Sequence, residues 1–295
     1  MACLASTPRA SIDPMERTRD PTLEPELALA SDLAKKAGDA ILEVRSDAIA
    51  SSSLKSDESP VTAADLAADA VIREGLAATG DTIVTEETWK DGNIGKHPRA
   101  WFVDPIDGTE DFVRKSRDYV VQIGLCVDGA PALGVVYQPE TGLLWRGVVA
   151  DRRCERVEAG GVLPRTVAGR ALPAKPRIAI SVSHPSAVVD FVIHELGGVS
   201  VWRGSVGLKV ALIVDDEADA YVTASRRIKV WDTCAPAAVL LAAGGAVTTL
   251  AGAPLSYDGP AAHAGGVCMW TPAARERLSL RIDDAVQRFR GRMFE

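Results

Sequence analysis

The stretch WFVDPIDGTEDF, residues 101–112, places an apolar run directly before two aspartates, Asp104 and Asp107. The run predicts a buried strand, and a carboxylate at the end of such a strand loses hydration that a partner must replace. Pro105 stiffens the turn between the two acids. The stretch therefore indicates carboxylates gathered around a cation, although a D-x-x-D motif taken alone is more often a turn followed by a helix cap.

Acids also stand at two other predicted boundaries. Glu86 and Glu87 follow a strand predicted at 82–85, and Asp232 stands at the start of a helix predicted at 231–245. Carboxylate oxygens are the ligands that Mg²⁺ and Mn²⁺ prefer. The conjunction predicts a site for two or three Mg²⁺ ions, for which Mn²⁺ could substitute. Each acid alone is equally explained by a solvated loop or a helix cap.

The composition places the chain among ordinary globular proteins. Of its 295 residues, 47% are hydrophobic and 25% charged, which sets aside disordered and fibrous classes. No apolar run reaches the roughly 18–20 residues of a membrane span, so membrane association is not indicated. The net charge of −7 argues against a nucleic-acid partner. A small anionic substrate stays compatible with it, because the charge around a site can oppose the global sign.

Cysteine usage and the N-terminus favour a cytoplasmic protein. The five cysteines are scattered, odd in number and free of C-x-x-C spacing, which is typical of reduced thiols. The first residues lack the basic start and long apolar core of a secretory signal. We expect residues 1–24 to form a loosely ordered N-terminal extension.

The rest of the chain divides into two predicted halves. Residues 25–170 form an N-terminal α+β half that carries most of the candidate metal ligands, with three antiparallel strands at 119–150. An irregular stretch rich in Gly, Pro and Arg at 151–175 marks the boundary. Residues 171–295 alternate short strands and helices and carry Asp232 and the candidate specificity residues. This mixture favours layered α and β elements.

Four motifs resemble signatures of the inositol monophosphatase superfamily, in the family order. They are KSDESPVTAAD (55–65), TEE (85–87), DPIDGTEDF (104–112) and VWDTCAPAAVLLAAGGAV (230–247). The resemblance implies an α+β fold, the layered αβαβα sandwich of the inositol monophosphatase and fructose-1,6-bisphosphatase type. It also implies lithium-sensitive, metal-dependent phosphatase activity and leaves a homodimer open.

Within the superfamily the chain is most similar to the 3′(2′),5′-bisphosphate nucleotidase branch of the CysQ type. The carrying features are the 55–65 motif, the Ser-His of ISVSHPSAVVDF (180–191), and Lys209, where this branch has a lysine. Val182 is a departure, because an arginine that faces a phosphate is expected there. The resemblance implies a small phosphorylated substrate and a place in sulfur assimilation. The reaction expected is hydrolysis of the 3′-phosphate of adenosine 3′,5′-bisphosphate.

Site roles follow from the resemblance residue by residue. The implied metal ligands are Glu86, Asp104, the Ile106 carbonyl, Asp107 and Asp232. The implied catalytic group is Thr109, which orients the attacking water, with Asp65 and Glu86. The implied substrate contacts are Gly108, Thr109, Ser183, His184, Lys209 and Asp232. Two of these have ordinary structural explanations, since Lys209 could snorkel from an amphipathic helix and His184 could be a loop residue.

Two other functions stay open at this point. One is an inositol monophosphatase or a broad-specificity sugar-phosphate phosphatase, against which Lys209 and the pair Glu110-Asp111 argue. The other is a non-catalytic, metal-dependent regulator or RNA-associated scaffold that keeps the fold without turnover. The presence of all proposed ligands disfavours the second.

Overall fold

The computed structural model describes residues 22–50, 53–54, 60–61, 63–90 and 92–292. Nearly all of the predicted N-terminal extension, residues 1–24, therefore lies outside the described residues, as do Lys55 and Thr62 of the 55–65 motif. The first elements are helix α1 (Glu24–Ala50), strands β1 (Ser53–Leu54) and β2 (Pro60–Val61), and helix α2 (Ala63–Leu76). The apolar positions of α1 from Leu27 to Ile41 recur every three to four residues and are buried, as the sequence predicts.

Seven strands form the larger sheet, in the chain order β3 to β9. Their bounds, with the short helix that interrupts them, are β3 Thr82–Thr85, β4 Arg99–Asp107, α3 Thr109–Val113, β5 Val120–Val127, β6 Ala130–Gln138, β7 Leu143–Val148, β8 Arg153–Glu158 and β9 Gly161–Arg165. Strands β3 and β4 are parallel, and every later pair is antiparallel. Asp128 and Gly129 join β5 to β6 with φ angles of 49° and 76°, the left-handed conformation that a two-residue hairpin turn requires.

The prediction of an irregular stretch at 151–175 is wrong for its first half, which forms β8 and β9. In β8, charged side chains replace the apolar alternation that identifies a half-buried strand, and β9, which contains Gly161 and Pro164, is an edge strand of the sheet. Arg146 of β7 binds Glu155 of β8 across the pair, with nitrogen and oxygen 2.8 Å apart. The predicted division between residues 170 and 171 stays a prediction.

The second sheet has five strands in the order β11-β10-β12-β14-β13. Its strands are β10 Arg177–Ser181, β11 Val199–Arg203, β12 Ala220–Thr223, β13 Ala246–Thr248 and β14 Val267–Trp270. The helices of this part are α4 Ala187–Leu196, α5 Val206–Val214, α6 Val230–Ala242 and α7 Pro272–Arg292. Strand β10 is parallel to both β11 and β12, so their carboxyl ends meet at one edge.

The elements stack in five layers. Helices α1 and α2 cover one face of the larger sheet, α5 and α6 lie between the two sheets, and α4 and α7 cover the outer face of the smaller one. All nine residues of α5 are buried, as expected for a helix enclosed between two sheets. The layered αβαβα sandwich is therefore confirmed. None of the helices in the described part of the chain combines the length and apolar character needed to cross a membrane.

Candidate active site

The two aspartates of the opening stretch lie at the buried end of β4. Asp104 is opposite Gln122 of β5, and Asp107 is opposite Val120, so three steps along β4 match two along β5. This extra residue makes a β-bulge, which turns side chains out of the regular alternation. Pro105 falls within the bulge, where its missing N–H breaks no ladder hydrogen bond.

Three carboxylates from three different elements converge beside this bulge. One oxygen each of Glu86, Asp104 and Asp232 lies within 4.8 Å of the other two. Glu86 reaches Asp104 because β3 and β4 are parallel neighbours, and the Glu86 amide continues the pairing with the Val103 carbonyl at 3.1 Å. Asp232 comes from the first turn of α6. There its Oδ2 also accepts a hydrogen bond from the Lys229 amide at 2.8 Å. Asp232 therefore both caps the helix, as predicted, and belongs to the acidic cluster.

The acids of this cluster raise one another's pKa values, and a bound cation would stabilise their ionised forms. Burial raises the pKa of Asp104 well above its ordinary value, and the charges of Glu86, Asp107, Asp232 and Asp65 raise it further. Burial, then Glu86 and Asp107, raise the pKa of Asp232 in the same way. Oxygen ligands with unbalanced charge suit a hard divalent ion. The donor set therefore fits Mg²⁺ or Mn²⁺.

Asp107 lies beside the three convergent acids and is held by its own partners. Its Oδ2 accepts the Gly207 amide at 3.0 Å and the side-chain amide of Gln122. Burial raises the pKa of Asp107 to about 6, with Lys209 and the backbone donors opposing the rise. A ligand role would use the other oxygen, Oδ1.

Three further predicted residues lie where β4 ends and α3 begins: Ile106, Gly108 and Thr109. The Ile106 amide donates to Asp104 Oδ1 at 3.1 Å, and the Thr109 hydroxyl donates to the Ile106 carbonyl at 3.0 Å. A carbonyl oxygen has two lone pairs, so Ile106 keeps one for a metal. Gly108 has φ +101°, and a Cβ there would stand 2.9 Å from the Asp118 carbonyl, so no other residue fits this turn.

Asp65 and Lys209 are two further buried charged residues whose charges act on these acids. Asp65 is buried in the first turn of α2, and its charge reaches Asp104. Lys209 is only 2% exposed, and its Nζ donates to the carbonyls of Gly204 and Ser205, the latter at 3.0 Å. Burial lowers the pKa of Lys209 to about 8, against the charges of four aspartates led by Asp107. The alternative of a snorkelling lysine is wrong, because α5 is enclosed on all sides.

Ser183 and His184 follow the end of β10 and contact α3. The Ser183 hydroxyl donates to Asp111 Oδ2 at 2.9 Å. His184 is largely exposed, with its Nε2 3.8 Å from Glu110 Oε1. Their contacts with substrate stay predictions.

Sequence reasoning missed several residues that build this site, above all Gln122. An amide inside the apolar run VVQIGLCV is a usable signal, because a buried amide needs hydrogen-bond partners. Asp118 was also missed: it accepts the Gly204 amide at 3.2 Å and pairs with Arg203 at 3.4 Å. No local pattern marks Asp118, because its partners are 85 and 86 residues away.

Comparisons with known proteins agree with this geometry. The sequence profile described as "Inositol monophosphatase family" matches residues 22–282. The 3′(2′),5′-bisphosphate nucleotidase CysQ of Escherichia coli O157:H7 is 36% identical over 229 residues, covering 76% of this chain and 91% of that protein. The 3′-phosphoadenosine 5′-phosphate phosphatase of Mycobacterium leprae is 32% identical over 249 residues, covering 79% of this chain and 84% of that protein.

Solved structures show the same fold. CysQ from Bacteroides thetaiotaomicron superposes with a TM-score of 0.70 at 25% identity, covering 84% of this chain and 97% of that one. Inositol monophosphatase from Anabaena superposes with a TM-score of 0.72 at 25% identity, covering 89% and 96% of the two chains. With its fold, its convergent acids and a profile match over most of its length, this chain belongs to the inositol monophosphatase family.

Proposed function

We propose that this protein is a Mg²⁺-dependent 3′(2′),5′-bisphosphate nucleotidase that removes the 3′-phosphate of adenosine 3′,5′-bisphosphate. The observation that carries the proposal is the convergence of Glu86, Asp104 and Asp232 within 4.8 Å, with Asp107 beside them. The relatives named CysQ and 3′-phosphoadenosine 5′-phosphate phosphatase support the substrate class.

The residues of the chain divide the chemistry between them. Glu86, Asp104, Asp107 and Asp232 would hold the cations, together with the Ile106 carbonyl. Bound divalent cations supply an acidified water and neutralise charge on the departing oxygen. The Thr109 hydroxyl donates a hydrogen bond to the Ile106 carbonyl at 3.0 Å. Its oxygen is therefore available to accept a hydrogen bond from the attacking water and so to orient it. Asp65 would accept the proton that this water releases.

The same reasoning extends to substrate and compartment. Gly108 and Thr109 amides would bind the scissile phosphate, and Ser183 and His184 would face the rest of the nucleotide. The substrate contact of Lys209 stays a prediction, because its Nζ is buried against the Gly204 and Ser205 carbonyls. We place the enzyme in the cytoplasm because Cys126, Cys154, Cys234 and Cys268 are all free thiols. A small-molecule substrate is proposed, without a nucleic-acid partner. Whether the enzyme is a homodimer stays a prediction.

A substrate panel with Mg²⁺ tests the proposal. We expect kcat/KM for adenosine 3′,5′-bisphosphate to exceed that for inositol 1-phosphate by at least tenfold. A preference for inositol 1-phosphate would replace the proposal with an inositol monophosphatase. Unchanged turnover in Thr109→Ala and Asp107→Asn would favour the non-catalytic alternative, with the measured activity coming from a contaminant.

A further inference from the structure

An exposed guanidinium follows the short helix that begins beside the acids. Arg114 follows α3 directly, and its side chain is 59% exposed. Its Nη1 is 3.4 Å from the Ser183 hydroxyl, and its Nη2 is 3.2 Å from Glu110 Oε2. Arg114 therefore joins the end of β10 to α3 while keeping most of its surface in solvent.

One short helix, α3, separates Arg114 from Asp107 along the chain. Helix α3 begins two residues after Asp107 and ends one residue before Arg114. At about 1.5 Å per residue, its five residues span roughly 7 Å. Arg114 therefore lies at the opposite end of α3 from the Gly108 and Thr109 amides, where a phosphate would meet the cations.

The charges around Arg114 leave it available to an anion. Its partner Glu110 is 36% exposed, and an exposed ion pair four residues apart on a helix contributes little to stability. A phosphate dianion could therefore replace Glu110 as the partner of Arg114. Asp111, a buried acid in the same helix as Glu110, already accepts a hydrogen bond from the Ser183 hydroxyl. Beyond it, Asp118 is paired with Arg203. The Nε2 of the exposed His184 is 3.8 Å from Glu110 Oε1.

We propose that Arg114 binds the second phosphate of the substrate, the one that is not hydrolysed, and so sets the preference for bisphosphorylated nucleotides. This inference rests on the proposed function. A guanidinium fork matches two phosphate oxygens at once, and the Ser183 hydroxyl holds it in place before substrate arrives. Residue 182, where the resemblance leads one to expect an arginine, is valine here. Arg114, which follows α3, places a guanidinium beside Ser183, the residue next to Val182.

The test is a selectivity ratio, kcat/KM for adenosine 3′,5′-bisphosphate divided by kcat/KM for adenosine 3′-phosphate. Both substrates carry the scissile phosphate, and only the first carries the second phosphate. We expect Arg114→Ala to lower the ratio about 10- to 100-fold, the usual effect of losing hydrogen bonds to a charged group. Arg114→Lys should fall between, since it keeps the charge and loses the fork. Arg117→Ala, which removes a 75% exposed arginine nearby, is the matched control and should leave the ratio unchanged.

The outcomes separate the two proposals. A wild-type enzyme with equal kcat/KM for both nucleotides overturns this inference alone, whereas a wild-type preference for inositol 1-phosphate overturns the proposed function on which it rests. A wild-type preference for the bisphosphate that survives in Arg114→Ala overturns the inference alone. An equal fall of the ratio in Arg117→Ala also overturns it, because general positive charge would then explain the preference. Circular dichroism of each variant, expected to match the wild type because both arginines are exposed, checks that the fold is retained.

Discussion

Gln122 donates a hydrogen bond from its side-chain amide to Asp107 Oδ2, from fifteen residues further along the chain, and is itself fully buried in β5. The Gly207 amide donates to the same oxygen from α5, at 3.0 Å. These two donors fix the orientation of the Asp107 carboxylate before any cation binds. Partners of this kind commonly change metal affinity 10- to 100-fold when they are removed.

We therefore expect Gln122→Leu to weaken Mg²⁺ binding by about 10-fold or more, measured as the Mg²⁺ concentration for half-maximal activity and by calorimetric titration. Gln138→Leu is the matched control. Gln138 is also buried, but its amide donates to the Arg117 carbonyl at 2.8 Å, away from the acids. Both variants should lose stability, and only Gln122→Leu should lose metal affinity. Equal Mg²⁺ affinity in the two variants would show that Gln122 acts only in packing.

The acidic cluster should destabilise the metal-free protein at alkaline pH. The folded-state pKa of Asp104 lies above its unfolded value, so the ionised form is disfavoured in the folded state. Stability is therefore greatest below the unfolded pKa and falls as pH rises through the folded pKa. Asp104→Asn cannot ionise, and its amide oxygen can still accept the Ile106 amide. At pH 8 with a chelator, we expect this variant to unfold at a higher urea concentration than the wild type.

Added Mg²⁺ should reverse that order. At a Mg²⁺ concentration about 100 times its dissociation constant, the wild type should gain about 2.7 kcal/mol, and Asp104→Asn should gain much less. Asp32→Asn makes the same chemical change at an exposed site on α1 and should respond to Mg²⁺ like the wild type. A full Mg²⁺ response in Asp104→Asn would remove Asp104 from the set of ligands.

How far the sequence predicts this site depends on which interactions are local. Glu86, Asp104 and Asp232 were predictable because each follows an apolar run or opens a helix, and strand ends are where a sheet exposes side chains to a ligand. The surroundings of Lys209 were not, because the sequence shows that α5 is apolar but does not show which elements pack around its one lysine. Only the second sheet, packed on its other side, encloses it. The strand Arg153–Glu158 was missed because charged residues fill four of its six positions and hide the apolar alternation, whereas its pairing with β7 and β9 shows only in the structure.

Two tryptophans connect the elements that carry Glu86 and Asp232. Trp89, three residues after Glu86, has its ring centroid 6.5 Å from that of Trp231, which precedes Asp232. Such pairs contribute about 0.5–1.5 kcal/mol beyond their buried area. We expect Trp89→Ala to raise the Mg²⁺ dissociation constant about 2- to 10-fold, since 1.4 kcal/mol is a factor of ten.

The comparison for that variant is an aromatic pair of similar geometry. Phe191 and Phe289 have ring centroids 5.6 Å apart in the outer helical layer. Phe191→Ala should cost stability without changing Mg²⁺ affinity, and Trp89→Phe should restore most of the affinity. If Phe191→Ala and Trp89→Ala shift the Mg²⁺ titration equally, the tryptophan pair has no special part in placing the two acids.

His263 makes folding stability depend on pH between about 4 and 6.5. Burial lowers the pKa of His263 to about 4, and its Nε2 is 2.8 Å from the Thr233 hydroxyl, next to Asp232 in α6. The unfolded chain, with a histidine pKa near 6.5, binds a proton that the folded state refuses. The contribution of His263 to the free energy of unfolding is complete above pH 6.5 and is lost as pH falls toward 4, a difference of about 2 kcal/mol between pH 7 and pH 5.

Urea unfolding at the two pH values should show His263→Gln losing less stability on acidification than the wild type. His194→Gln, which replaces an exposed histidine, should keep the full wild-type loss. An undiminished loss in His263→Gln would mean that other groups cause the acid sensitivity.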